Sequence, residues 1–137
     1  MKAMFSISGC IVVFICLCLL IPAVEAQESG RIEVVAAAIC KNVVAREAMD
    51  VGNRFSNSTP RLYCFTRVVG ASQPTEIVHV WRYGDVERAR ISLPVNAATW
   101  RTYSSKAIQA HEIGSWRVDV LDTSGNLLET INFEITQ

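Results

Sequence analysis

Ile77-Val78-His79-Val80-Trp81-Arg82-Tyr83-Gly84-Asp85 and the return Val86-Glu87-Arg88-Ala89-Arg90-Ile91-Ser92-Leu93 decide how this chain folds. Two runs rich in β-branched and aromatic residues flank a Gly-Asp pair, the strongest hairpin signal in the sequence. Two registers compete. A two-residue loop sets Trp81 against Arg88 and His79 against Arg90, leaving an aromatic and basic face in solvent. A three-residue loop with a bulge sets Trp81 against Ala89, His79 against Ile91 and Ile77 against Leu93. The second buries the Trp and is favoured, because a buried indole removes far more apolar area from water than one or two Val, at about 25 cal/mol per Å².

Working outward, Arg61 to Val69 alternates, with Leu62, Cys64, Thr66 and Val68 on one face and Tyr63, Phe65, Arg67 and Val69 on the other. It reads as a strand covered on both sides. Thr99 to Lys106 reads as another strand, and Ser115 to Leu121 and Leu127 to Ile135 form a second hairpin around Asp122-Thr123-Ser124-Gly125-Asn126. Trp116, Val118 and Val120 share a face, so Trp116 is expected in the core, opposite Trp81. Ile32 to Val44 is apolar and β-branched at its ends, which favours a strand, and Arg46 to Pro60 reads as a loop with at most one short strand. Pro94 ends the central hairpin. About seven strands and no convincing long helix predict an all-β, immunoglobulin-like antiparallel β-sandwich.

Residues 1–26 are expected to stand outside the fold. Lys2 gives a minimal positive start, Ile11 to Ile21 an apolar core, and Val24-Glu25-Ala26 small residues where a signal peptidase reads. Cleavage after Ala26 leaves a single domain over 27–137, periplasmic or extracellular, with no membrane span in the mature chain; a retained anchor is disfavoured by the short apolar run and by Pro22 and Glu25. The charges balance at 13 basic and 13 acidic residues, and the loss of Lys2 and Glu25 keeps them balanced. That neutrality argues against nucleic acid as a partner. Cys40 and Cys64 are the cysteines left after cleavage, each in an apolar run, and export makes a disulfide between them the simplest expectation.

Ile39-Cys40, Arg61-Leu62-Tyr63-Cys64-Phe65-Thr66, His79-Val80-Trp81, Trp100-Arg101-Thr102-Tyr103-Ser104-Ser105-Lys106 and Gly114-Ser115-Trp116-Arg117-Val118-Asp119-Val120-Leu121-Asp122 resemble the motif blocks of a bacterial, exported domain-of-unknown-function family. The resemblance covers nearly the whole mature chain. It implies a compact all-β module, exported or fused to membrane segments, and brings no catalytic residue with it.

The residues themselves give no spacing for chemistry. His79 and His111 lack H-x-H or H-E-x-x-H context, so neither a metal nor a cofactor is expected, and Ser104 and Ser105 lack a G-x-S-x-G setting. Asp119 and Asp122 flank a turn and read as a solvated turn rather than a calcium site. An enzyme is not expected. Trp100, Arg101, Tyr103 and Tyr83 are the candidate ligand-binding residues, since an exposed ring beside Arg suits stacking and hydrogen bonding to a glycan or a peptide. Trp100, among polar neighbours, is the best candidate for an exposed ring. The function expected is a non-catalytic exported binding module for a glycan or an envelope protein, with a purely structural accessory domain as the alternative.

Overall fold

The computed structural model describes residues 31–137, so the leader, its cleavage point and Cys10, Cys16 and Cys18 lie outside the described residues. Nine strands follow one another: β1 Glu33–Val44, β2 Glu47–Gly52, β3 Arg54–Ser56, β4 Arg61–Val69, β5 Thr75–Tyr83, β6 Val86–Val95, β7 Thr99–Ala107, β8 Gly114–Leu121 and β9 Leu127–Thr136. They form a four-stranded sheet, β2-β1-β4-β7, and a five-stranded sheet, β3-β9-β8-β5-β6. All pairings are antiparallel except β3 with β9, which is parallel. The all-β expectation holds, and the count of seven becomes nine because Arg46 to Pro60, read as a loop, contributes β2 and β3.

The inner faces of the two sheets meet in a sandwich-like core. Ile39, Leu62 and Cys64 from the first sheet cluster with Phe55, Trp81, Trp116, Val118, Phe133 and Ile135 from the second. A smaller cluster of Val68, Ile77, Val95 and Val120 closes one end. The period of two in β4 puts Leu62, Cys64, Thr66 and Val68 inside, as its alternation requires.

The central hairpin combines features of both registers. Tyr83 pairs with Val86, so Gly84-Asp85 is a two-residue loop, and Gly84 takes the φ of 56° that such a turn needs at its first central position. A bulge at Trp81/Arg82 then shifts the ladder, giving Trp81 opposite Ala89, His79 opposite Ile91 and Ile77 opposite Leu93. The bulge reconciles a tight turn with a buried Trp81. Trp116 is buried too, but in the same sheet as Trp81, the two indoles flanking Phe133 at centroid distances of 6.0 and 6.1 Å. The expected placement across the core is therefore corrected: Tyr83 pairs with Trp116, and Trp81 with Val118, so β5 and β8 are neighbours.

A polar seam crosses the interior. His79 Nδ1 lies 2.7 Å from Ser104 Oγ and Nε2 lies 3.2 Å from Thr66 Oγ1, while Trp81 Nε1 donates to Ser104 Oγ at 3.0 Å. Ser104 has one proton; with Trp81 already donating to it, that proton satisfies His79 Nδ1, leaving Nε2–H to donate to Thr66. This neutral tautomer satisfies every member, as buried polar groups require. Burial holds the His79 pKa down at about 4.

The expected Cys40–Cys64 disulfide is not found: both thiols are free and buried. The register supplies the reason. Ile39 stands opposite Cys64, and Cys40 opposite Tyr63. Cys40 therefore points to the other face of the sheet from Cys64, and no rotamer brings the sulfurs together without a slip of one residue. Burial raises both thiol pKa values, which keeps them protonated and poorly reactive.

Candidate binding face

The two outer faces differ in character. On the five-stranded sheet, Arg82 faces Arg117, and Val80 faces Asp119. The like charges are bridged by Asp119, whose Oδ2 lies 3.0 Å from Arg82 Nε and 3.4 Å from Arg117 Nε, while Thr130 donates to its Oδ1. Arg117 also reaches Asp85 at 3.2 Å, and Arg54 pairs with Glu134 at 3.1 Å. Asp119 is thus spoken for by two guanidinium groups. Asp122 instead caps its own turn, accepting from Ser124 N, Asn126 N and Asn126 Nδ2, and the Asn126 amide chiefly holds its pKa below the usual carboxylate value. This face is a salt-bridged, solvated surface.

The four-stranded sheet is different. Its cross-strand rows run Ala38–Phe65–Tyr103, Cys40–Tyr63–Ser105 and Ala36–Arg67–Arg101. Beyond them the β1–β2 hairpin adds Val51 opposite Cys40 and Met49 opposite Asn42. Of the seven exposed large hydrophobic side chains among the described residues, five (Val35, Val44, Met49, Val51 and Tyr103) belong to β1, β2 and β7. Scattered apolar side chains need no explanation, but a group on one sheet, with the other sheet's outer face carrying several ion pairs, marks a surface suited to contact.

The hairpin tip is held in an unusual way. Ala45 and Arg46 form its two-residue loop with φ of 51° and 61°, the left-handed values of a type I′ turn that ordinarily calls for Asn-Gly. Each non-glycine residue there costs about 1 kcal/mol. Long-range contacts offset that cost: Glu47 Oε1 accepts from Arg101 Nη1 at 2.9 Å, and the Arg46 guanidinium lies 5.5 Å from the Trp100 ring centroid. Since β4 stands between β1 and β7, the hairpin must lean across the sheet to make them.

Three of the four sequence-nominated residues therefore come together on β7, and one does not. Arg101 and Tyr103 face outward; Tyr103 is 46% exposed and meets Tyr63 edge-on at 6.0 Å. Trp100, expected to be the exposed ring, stands opposite buried Val68 and packs half-buried on the smaller core cluster beneath Arg46. Tyr83 lies in the other sheet, stacked on Trp116 at 5.0 Å with its hydroxyl donating to Ile113 O at 2.6 Å. It is a core-edge residue. Nearby, buried Glu112 accepts from Gln109 N and lies 2.9 Å from Arg88 Nη1, pinning the segment that joins β7 to β8, while His111 beside it is exposed.

Sequence reasoning missed Val44, Met49 and Val51. The turn that sets them in place, Val44-Ala45-Arg46-Glu47, carries none of the Gly, Asn or Asp that announces a hairpin, so its strands were invisible as a pair.

No curated protein matches the chain. A family model does match, but over less of the chain than the motif blocks suggested: the Ile39-Cys40 and Arg61–Thr66 blocks and the β1–β2 hairpin fall outside it. From just before β5 to near the end of β9, residues 74–135 match the model of the family described as Protein of unknown function (DUF2914), an uncharacterised domain family.

Proposed function

We propose that this chain is an exported, non-catalytic binding module that engages an envelope protein through the outer face of its four-stranded sheet. The observation that carries the reading is the gathering of Val44, Met49, Val51 and Tyr103 on that face, against a charge-paired opposite face. A glycan is the second reading, supported by Tyr103 beside Arg101. The protein reading is favoured because sugar stacking needs an open ring, whereas Arg46 covers Trp100 and the Tyr63 and Tyr103 rings are inclined at 60°. Export rests on the leader-like residues 1–26.

An immunoglobulin-like assignment belongs to the same proposal. With β2 and β3 set aside, the remaining seven strands order as β1-β4-β7 and β9-β8-β5-β6, the arrangement of strands A-B-E and G-F-C-C′. Trp81, buried on the third of these seven, stands where that fold keeps its core Trp.

Incubating the purified protein with envelope protein extract and, separately, with peptidoglycan distinguishes the partners. The expected result is a retained protein and no retention on the glycan. Retention on peptidoglycan alone would overturn the choice of partner.

A further inference from the structure

Each sheet has two end strands, and three of the four are blunted against further pairing. β3 has three residues. β2 has six and carries Asp50 at a left-handed φ of 58°. β6 carries Pro94, a bulge opposite Trp81/Arg82 and the charges of Glu87, Arg88 and Arg90. Short length, kinks, proline and charge are the devices by which edge strands avoid adding a neighbour. β7 lacks most of them. All nine residues, Thr99 to Ala107, pair in unbroken register with β4, and among the described residues its other edge has no strand partner.

We propose that β7 is a strand-addition site whose occupant is β7 of a second copy of this chain, paired antiparallel about a two-fold axis at Tyr103. The sequence is self-complementary in that register. Tyr103 meets Tyr103 of the second copy, Arg101 meets Ser105, Trp100 meets Lys106, Thr102 meets Ser104 and Thr99 meets Ala107. No like charges stand directly opposite each other: Lys106, the lysine that would protect an edge, meets Trp100 and not a second lysine. Arg101 arrives already paired with Glu47, so no unbalanced charge is brought to the joint. The symmetry is isologous, the usual form for a homodimer. The outcome is one eight-stranded sheet with the Tyr63 and Tyr103 rings of both copies on a continuous outer face.

The inference shares Tyr103 and Arg101 with the binding face described above, but Val44, Met49 and Val51 take no part in this joint, so variants at those three positions test the binding reading separately. Sedimentation of the purified protein should give twice the monomer mass. Tyr103→Lys, which sets two ammonium groups face to face at an exposed position, should give a folded monomer whose melting temperature no longer depends on protein concentration. Tyr103→Cys should form a covalent dimer on mild oxidation, while Val86→Cys, at a 63% exposed turn position, should not. A protein that is monomeric at every concentration, including one that captures a foreign peptide along β7, overturns the proposal. So does a dimer that survives Tyr103→Lys with no preferential cross-linking through Tyr103→Cys.

Discussion

Replacing Trp116 by alanine is expected to cost about 3–5 kcal/mol, the range for deleting a buried aromatic side chain. The indole is 2% exposed, stacked between Tyr83 at 5.0 Å and Phe133 at 6.0 Å, and its Nε1 donates to Glu112 O at 3.0 Å. Alanine leaves a cavity, removes two ring contacts and orphans a carbonyl in the β7–β8 connection. Against a total stability of about 5–15 kcal/mol for an ordinary domain, that is a large fraction. Equilibrium urea unfolding of the Trp116→Ala protein checks it. A midpoint within error of the parent would place the indole outside the core and overturn the packing described above.

The second large effect is acid destabilisation through His79. Its folded pKa of about 4 lies below the ordinary 6.5, because the fold buries the ring with no compensating charge. The unfolded chain therefore binds the proton more readily. The stability from keeping His79 neutral is complete above pH 6.5, falls as pH drops from 6.5 towards 4, and changes no further below 4. At 1.36 kcal/mol per pH unit the loss is about 2 kcal/mol by pH 5 and about 3 kcal/mol by pH 4. Urea midpoints measured from pH 7 to pH 5 test it above the range where most carboxylates titrate. The slope should vanish in His79→Gln; a parent protein whose stability is flat over that interval would contradict the neutral, buried seam.

Much of this was legible from the sequence. The alternation in Arg61 to Val69 sorted Leu62, Cys64, Thr66 and Val68 onto one face, but both faces read as covered, and only the packing of the second sheet turns that set inward and leaves Arg67 exposed. The area argument for burying Trp81 selected the ladder beyond the bulge, although the turn itself is the shorter one, because local turn chemistry and burial act at different points and a bulge satisfies both. Two kinds of information were out of reach. Which face a residue occupies depends on a register set by its neighbours, and compartment and composition could not show that Cys40 and Cys64 are one position out of step. A turn made by Ala45 and Arg46 has no local signature, because contacts to Trp100 and Arg101, more than 50 residues away in sequence, stabilise a conformation that their own preferences oppose.

The binding face inherits that second difficulty. Trp100 looked exposed because its sequence neighbours are polar, yet polar neighbours on a strand point the other way in alternate positions, so they say little about the ring between them. Arg46 then covers what the strand leaves open.

The central claim is that Val44, Met49 and Val51 are exposed for contact rather than for folding. The most direct test is the triple variant Val44→Ser/Met49→Ser/Val51→Ser, followed both by thermal melting and by capture of the envelope protein that the parent retains. Solvent-facing substitutions of this kind change stability by about 0.5 kcal/mol or less each. The account predicts a triple variant that still melts cooperatively, no more than about 12 °C below the parent at about 2–8 °C per kcal/mol, together with loss of capture; undiminished capture by a folded triple variant would contradict it.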